Sequence, residues 1–343
     1  MSAKKPTWAV LAPGLPPGVL EDQARMLEQA GVEGVFAPQV YGPPFVPLAA
    51  AAAVTDRLRL GSGVAMAFTR SPFETAMAAI DLDRISNGRF MLGMGTGIQA
   101  WNEGIFGVPY GKPLEHLRET VELVRLIIAK AHTGELKSFE GKYHRHDFSE
   151  LQPTSPPLRT DIPIWFGALR PALISMTAEI ADGLIGHPLW SMEWMTKKVP
   201  EALKTGLDRA GKQREAIEVN YWPLVMINND RAEAINDARP TIAFYAGMAQ
   251  YDEYFAGHGF PQEARRLQEG VKRGDYLGVA HLVPDEMVET FVACGSPDDV
   301  RRKVAPLWEI ADSLCPVPAQ YGLPDEKVLA YTQAIASTFY GGG

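Results

Sequence analysis

Arg89-Phe90-Met91-Leu92-Gly93-Met94-Gly95-Thr96-Gly97 is the stretch of sequence that decides the fold. An apolar run that ends in glycines is typical of a buried parallel strand followed by a loop of bare backbone. The backbone N–H groups of Gly95, Thr96 and Gly97 can approach a ligand closely, and such a row favours an anion, commonly a phosphate. The alternative is a strand-to-loop turn without a ligand. Because the glycines alternate and no helix follows at once, the pattern differs from the dinucleotide-binding fingerprint.

On both sides of this stretch, apolar strands alternate with amphipathic helices, and no hairpin signal interrupts them. This alternation predicts eight parallel strand–helix units, which most naturally close into a (β/α)8 barrel, with a doubly wound open sheet as the alternative. We expect a single domain over residues 1–343, with an insertion at 134–161 after the fourth strand and a long helical region before the eighth. The predicted helices include 72–85, 113–131, 171–181, 194–210, the long region 231–293 and 325–339, and the predicted strands include 34–37, 162–167, 183–186, 217–226 and one within 313–317.

The composition excludes several classes of protein. A formal net charge of -8 over 343 residues argues against nucleic-acid binding. Two cysteines, Cys294 and Cys315, suit a reducing cytosol and exclude a disulfide framework. Met1–Thr7 lacks the apolar core of a signal peptide, and no apolar run has the length of a membrane span. We therefore expect a cytoplasmic protein with no membrane partner.

If the barrel prediction is right, the active site lies at the carboxyl ends of the strands. This rim is mostly apolar and aromatic, and the sequence shows neither a carboxylate pair nor a nucleophile triad there. Such a site usually takes its chemistry from a cofactor, and the anion-binding loop fits a flavin-like ring with a phosphate tail. The candidate residues at the rim include Gln39, Tyr41, Gly63, Val64, Gly95, Thr96, Gly97, Asn102, Gly167, Ala168, Arg170 and His187.

Four of these candidates carry side chains with two alternative roles. His187 follows a strand end, where it either hydrogen-bonds a ligand or shuttles a proton, or merely caps a loop. Arg170 begins a helix near the usual phosphate position of barrels, or is a solvated helix-start arginine. Gln39 and Tyr41 either donate hydrogen bonds to a substrate or line a loop. Elsewhere, His144-x-His146 lacks a third metal ligand, so we expect no metal site. Ser296 is expected to cap a helix.

Six motifs stand out along the chain, and they are Arg84-Ile85-Ser86-Asn87-Gly88-Arg89-Phe90, Leu92-Gly93-Met94-Gly95-Thr96-Gly97, Asn102-Glu103, Phe106-Gly107, Ala181-Asp182-Gly183 and Gly295-Ser296-Pro297. Together they resemble the luciferase-like monooxygenase superfamily. The similarity extends over nearly the whole chain and is greatest to the branch of oxidoreductases that depend on the deazaflavin coenzyme F420. It implies a (β/α)8 barrel with an insertion after the fourth strand, often dimeric, so we expect a homodimer.

The resemblance also implies roles for particular residues. A bulge after the third strand, often with a non-prolyl cis peptide, supports the central ring of the cofactor in this family, and Gly61, Ser62, Gly63 and Val64 match it. The residues that match positions near the ribityl, phosphate and ring groups are Gly95, Thr96, Gly97, Asn102, Gly167 and Ala168. Basic residues near the acidic oligoglutamyl tail favour F420, and Arg170, Lys197 and Lys198 are the candidates.

One departure from the family pattern bears on the activity. The sugar-phosphate dehydrogenases of the family carry Asp-His after the second strand, where this chain has Pro38-Gln39. That difference puts glucose 6-phosphate dehydrogenase activity in doubt. The resemblance then implies hydride transfer between F420 and a small, apolar organic substrate. The alternatives are an FMN-dependent monooxygenase that uses dioxygen and a partner flavin reductase, and a non-catalytic flavin-binding protein.

Overall fold

Parallel strands and helices alternate along the chain, as the apolar pattern predicts. The computed structural model describes residues 5–16, 18–275 and 277–340. Met1–Lys4, which belong to the segment without a signal-peptide pattern, lie outside the described residues. The strands are β1 (Trp8–Val10), β2 (Gly34–Ala37), β3 (Arg59–Ser62), β4 (Ala65–Met66), β5 (Phe90–Gly95), β6 (Phe139–Glu140), β7 (Arg145–His146), β8 (Ile164–Ala168), β9 (Gly183–Gly186), β10 (Glu218–Tyr221), β11 (Leu224–Ile227), β12 (Val292–Gly295) and β13 (Ser313–Leu314).

The helices cover most of the chain between the strands. Short 3-10 turns and one π-helical turn, Trp194–Lys198, link some of them. The α-helices are α1 (Val19–Gln29), α2 (Phe45–Ala53), α3 (Pro72–Ile85), α4 (Gln99–Gly104), α5 (Pro113–Lys130), α6 (Pro171–Ile180), α7 (Val199–Ala210), α8 (Arg231–Ala246), α9 (Asp252–Gly257), α10 (Pro261–Val271), α11 (Asp285–Phe291), α12 (Pro297–Val304) and α13 (Asp325–Phe339).

The chain divides into two compact units. The first unit comprises Trp8–Ile185 and Glu201–Val219, and the second comprises Met1–Thr7, Gly186–Pro200 and Asn220–Gly343. In the first unit, parallel strands run in the order β1-β2-β3-β5-β8-β9, and β4 pairs with the far end of β5. In the second unit, β10 pairs with β13 and β11 with β12, all parallel. The number of domains stays a prediction.

Caps and prolines explain why some helix boundaries agree with the predicted ones. The Ser71 hydroxyl accepts the Glu74 N–H at 3.0 Å, and Pro72 occupies the first turn, where its missing N–H costs no hydrogen bond. The predicted bounds 72–85 and 325–339 are confirmed. The predicted cap at Ser296 is also confirmed, because its hydroxyl accepts the Asp299 N–H at 3.3 Å.

Two sequence predictions of local structure are wrong, and a third, the helix 194–210, is right except for the helix type of its first turn. Residues 217–226 form two strands and not one, because Pro223 lacks the N–H that a continuous ladder needs. The predicted helical region 231–293 ends in a strand, β12, which pairs with β11. The predicted helix 194–210 starts with the π-helical turn. In addition, the insertion 134–161 contains a small antiparallel pair, β6 and β7, that the sequence did not signal.

Large aromatic side chains fill the first unit beneath its strands. Trp8 stacks on Phe36 with ring centroids 4.5 Å apart, and Trp165 lies 5.8 Å from Trp8. All three are buried, so they form part of the apolar core of the first unit. Across the described residues, none of the helices combines the length and the apolar character needed to cross a membrane.

Candidate functional site

β5 and the loop that follows it carry a row of alternating glycines, and the segment leaving β3 packs against this row. The glycine row is Gly93, Gly95 and Gly97, and the crossing segment is residues 62–66. A Cβ atom at Gly93 would lie 1.8 Å from the backbone oxygen of Ser62. The buried Ser62 hydroxyl donates to the Gly93 carbonyl at 2.8 Å and accepts from the Gly93 N–H at 2.9 Å. The side chain of Ser62, a predicted cofactor contact, therefore ties the crossing segment to β5.

Val64 lies between the ends of two strands. The Gly63–Val64 peptide bond is cis, the form that the family resemblance implies for this bulge. A Cβ at Gly95 would lie 2.7 Å from Val64 Cγ2, and a Cβ at Gly167 would lie 2.7 Å from Val64 Cγ1. Both glycines are therefore required by the valine. The structure brings these four predicted residues together, and Ala168 ends β8 beside them as a buried residue.

The loop after β5 has its carbonyl groups satisfied from inside the protein. Asn102 Nδ2 donates to the carbonyls of Thr96 at 3.0 Å and Ile98 at 2.9 Å, and the Tyr110 hydroxyl donates to the Gly97 carbonyl at 3.1 Å. Gly97 adopts a φ of 61°, where a side chain is strained. The N–H groups of Thr96 and Gly97 have no acceptor in the described part of the chain. The loop thus offers unpaired donors, as an anion-binding loop requires.

Asn102 is the residue that shapes this loop. It is fully buried, and its two carbonyl partners determine the orientation of its amide. Its Oδ1 atom has no hydrogen-bond partner among the described residues. A buried acceptor without a partner is uncommon in native proteins. Beside a loop with two unpaired N–H groups, it fits a ligand that carries hydroxyl and phosphate groups.

Gln39 is buried, and its side-chain amide is already engaged. Its Oε1 accepts the Met66 N–H at 2.9 Å and Arg70 Nη2 at 2.8 Å, while its Nε2 donates to Thr69 Oγ1 at 3.3 Å. In this arrangement Gln39 holds the chain after β3 in place. Tyr41 is 65% exposed. Its ring stacks on Trp101, with centroids 5.9 Å apart.

The basic residues proposed for an acidic tail occupy exposed positions. Arg170 is the N-cap residue of α6, and its backbone carbonyl accepts the N–H groups of Leu173 and Ile174 at 3.1 Å each. Lys197 forms an ion pair with Glu193 at 3.0 Å, and the two side chains are 70% and 68% exposed. Exposed pairs of this kind contribute little stability, so Lys197 can exchange this partner for another anion.

His187 lies in the second unit, where tyrosines surround it. Its Nδ1 accepts the Leu189 N–H at 3.1 Å, so Nε2 carries the proton of the neutral ring and donates to the Tyr251 hydroxyl at 3.3 Å. The edge of Tyr245 lies against the same ring, with centroids 5.6 Å apart. Burial lowers the pKa of His187 to about 4, so the ring is uncharged near neutral pH. Its catalytic role stays a prediction.

The His-x-His pair of the insertion has other contacts. His144 Nε2 lies 2.8 Å from Thr120 Oγ1, which itself donates to the His116 carbonyl at 2.8 Å. The Thr120 oxygen therefore accepts the proton on His144 Nε2. The described residues contain no group of three or more His, Cys, Asp or Glu side chains that could hold a metal ion.

Two residues of this site were missed by sequence reasoning. Tyr110, which holds the Gly97 carbonyl, follows a glycine- and proline-containing loop and carries no sequence signal. Arg70 did carry one, because it is the only charged residue between Ser62 and Glu74, in the segment directly after a strand end. A charge at that position is unusual where the rim is otherwise apolar.

Comparison with known proteins gives consistent results. A family model described as luciferase-like monooxygenase matches residues 6–312. A Mycobacterium tuberculosis protein whose name proposes a coenzyme F420-dependent oxidoreductase is 33% identical over 306 residues, covering 83% of this chain and 85% of that protein. The 5,10-methylenetetrahydromethanopterin reductase of Archaeoglobus fulgidus is 30% identical over 294 residues, covering 83% and 84% of the two chains.

A solved structure extends the likeness to three dimensions. The coenzyme F420-dependent tetrahydromethanopterin reductase of Methanopyrus kandleri matches with a TM-score of 0.81 and 25% identity, and the match covers 98% of each chain. This match confirms the predicted fold class, a (β/α)8 barrel, over the doubly wound alternative.

Proposed function

The chain belongs to the luciferase-like monooxygenase family, and on that premise we propose that it transfers hydride between coenzyme F420 and a small, largely apolar organic substrate. The observation that carries this proposal is the loop after β5, whose carbonyls are satisfied internally and whose Thr96 and Gly97 N–H groups are unpaired in the described chain. Two relatives named for chemistry with F420 or with tetrahydromethanopterin support the choice of cofactor.

The residues at the loop and the crossing segment fit such a cofactor. The Thr96 and Gly97 N–H groups would hold the phosphate, and Asn102 Oδ1 would accept a ribityl hydroxyl. Val64, fixed between Gly95 and Gly167, would support the ring. When bound, the deazaflavin supplies hydride exchange at C5. The predicted contacts Ser62, Gly63, Ala168 and Arg170 stay part of this proposal.

The chain itself contributes mainly positioning and the exclusion of water. Val64 is packed tightly between Gly95 and Gly167, because its two Cγ atoms fill the space that a Cβ atom would take at those glycines. The Gln39 amide holds the crossing segment at Met66. His187 is uncharged near neutral pH, so it would orient a polar group by hydrogen bonding and would not carry a charge.

Fluorescence titration with F420 and with FMN, at equal concentrations and two salt levels, tests this proposal. We expect tighter binding of F420, and weaker binding at the higher salt concentration, because the tail is acidic. Gly97→Ala should weaken binding at least about tenfold, since its Cβ would lie 2.9 Å from Met66 Sδ. Gly104→Ala is the matched control, because a Cβ there meets no atom within 4 Å.

The other outcomes identify the alternatives. Preference for FMN would contradict the proposal and favour a monooxygenase supplied by a partner reductase. Binding of F420 without turnover across a substrate panel would favour a non-catalytic flavin-binding protein. Binding of neither cofactor would make the loop a simple turn. A homodimeric state and a cytoplasmic location stay predictions from the sequence.

A further inference from the structure

Arg70 is a partly buried cation that has no counter-ion among the residues that the structure describes. Its Nη2 donates to Gln39 Oε1 at 2.8 Å, and its guanidinium carbon lies 5.2 Å from the centroid of the Phe45 ring. Its Nε is buried without a hydrogen-bond partner among the described residues. Among those residues, no carboxylate lies within the 4.0 Å that defines an ion pair with Arg70. Glu74 on α3 is exposed, and it acts on Arg70 only from beyond that distance.

Two other inward-facing arginines of the first unit show what a structural arginine looks like here. Arg89 donates to backbone carbonyls from all three nitrogens, at distances from 2.6 to 3.1 Å. Arg159 forms a forked pair with the buried Asp83 carboxylate, with the closest contact at 2.6 Å, and also donates to a backbone carbonyl. Each donates hydrogen bonds to several acceptors within the fold. Arg70, by contrast, has one neutral oxygen as its only hydrogen-bond acceptor in the described part of the chain.

The environment of Arg70 positions the charge and does not neutralise it. The same Gln39 oxygen that accepts from Arg70 also accepts the Met66 N–H at 2.9 Å. Arg70 is thereby connected to β4, whose Met66 pairs with Gly95 at the predicted cofactor loop. A buried charge is normally paired because leaving it unpaired is unfavourable. A charge held in place without a partner therefore indicates that a ligand supplies the partner.

We propose that Arg70 is the binding site for an oxyanion, a carboxylate or a phosphate, presented by a ligand at the Gly95–Gly97 loop. A guanidinium binds these planar or multi-oxygen anions through two parallel N–H groups, and its Nη1 and Nη2 atoms have the donors for this. The oxyanion belongs either to the substrate or to the cofactor. The inference rests on the proposed function in so far as it requires a ligand at this loop.

Isothermal titration calorimetry at constant ionic strength tests the site. The probes are inorganic phosphate, benzoate and the neutral isostere benzamide, and the proteins are wild type, Arg70→Met and Arg84→Met. Arg84 is the matched control because it is an exposed arginine of α3 with the same charge. We expect phosphate or benzoate to bind wild type and Arg84→Met alike, and to bind Arg70→Met at least about tenfold more weakly. Benzamide should not distinguish the three proteins.

A second variant keeps the test independent of folding defects. Gln39→Glu places a carboxylate where Gln39 Oε1 now lies, 2.8 Å from Arg70 Nη2, and can still accept the Met66 N–H. This internal partner should abolish binding of the anionic probes without lowering the melting temperature. Anion binding that survives in both variants, or no saturable anion binding to wild type, would overturn the proposal.

Titration with F420 and with the deazaflavin that lacks phosphate and glutamyl tail identifies the source of the oxyanion. If Arg70→Met removes the preference for F420, the cofactor supplies the anion. If that preference persists while benzoate binding is lost, the substrate supplies it. Wild type that binds phosphate or benzoate but neither deazaflavin would refute the proposed cofactor and leave the anion site standing. Wild type that binds F420, with every Arg70 comparison unchanged, would refute only the anion site.

Discussion

Gly167→Ala adds one methyl group directly against Val64. The new Cβ would lie 2.7 Å from Val64 Cγ1, whereas carbon atoms in favourable contact are about 3.5–4.0 Å apart, so one of the two must move by roughly 1 Å. Overpacking of this kind costs about 1–3 kcal/mol. We expect the free energy of unfolding in urea to fall by that amount. F420 binding should weaken with it, because Val64 shifts at the position that would support the ring.

The double variant Val64→Ala/Gly167→Ala makes this prediction specific. Without the two Cγ atoms of Val64, the atom nearest to a Cβ at Gly167 is the Cβ of residue 64. The distance of 3.8 Å is an ordinary van der Waals contact. Val64→Ala alone should lower the free energy of unfolding by about 1 kcal/mol, because it removes partly buried apolar surface. In its background, Gly167→Ala should therefore cost close to nothing, which gives a coupling free energy of about 1–3 kcal/mol.

Equilibrium urea unfolding of the four proteins, with Gly104→Ala as the control, measures this coupling. Gly104 lies in the same unit, and a Cβ there meets no atom within 4 Å. Additive free energies for the two substitutions would refute the packing argument. If Gly167→Ala lowers F420 affinity and Val64→Ala does not restore it, the loss of affinity has a cause other than the packing conflict that lowers stability.

Three further changes test other contacts of the site. Ser62→Ala leaves the buried Gly93 N–H without its acceptor, so unfolding free energy should fall by about 1–3 kcal/mol; an unchanged value would refute that role. Tyr110→Phe removes the donor to the Gly97 carbonyl and should lower F420 affinity severalfold at an almost unchanged melting temperature, with Tyr143→Phe as a comparison at an exposed hydroxyl. Burial, and after it the charge of the neighbouring His116, lowers the pKa of His144 from 6.5 to about 4. Between these pH values the imidazole is protonated in the unfolded chain and neutral in the folded protein. Stability should therefore fall as the pH drops from 6.5 towards 4, and a slope of unfolding free energy against pH that does not flatten in His144→Gln would contradict this.

The sequence predicts those elements whose boundaries depend on local chemistry. The bounds of α3 and α13 agree because prolines and caps act within one turn of the helix. The break between β10 and β11 also has a local cause, Pro223, but the continuous apolar run on both sides conceals it. β12 follows α11 without an intervening loop, so its four apolar residues continue the helical pattern until the pairing with β11 determines otherwise.

The candidate site was predictable to the extent that it consists of backbone. Gly95, Gly97 and Gly167 stand out because only glycine is compatible with their close contacts. Side-chain roles depend on partners distant in sequence. For Gln39 the sequence leaves a substrate contact and a loop-lining role open, and only the structure shows that its amide contacts Met66 and Arg70. The sequence marks Arg70 as an isolated charge, but the lack of a counter-ion among the described residues is visible only in the structure.

The glycine row and the crossing segment have a consequence for how this protein can change during evolution. Positions 62, 64 and 66 meet 93, 95 and 97 in turn, so the offset between each pair is the same 31 residues. Deleting one residue from either segment would bring side chains onto all three contacts at once. Length variation among descendants of this gene should therefore be confined to the helix between the two segments and to the outer loops. New substrate preferences would have to arise there, because a change of length in either paired segment disrupts all three contacts at once.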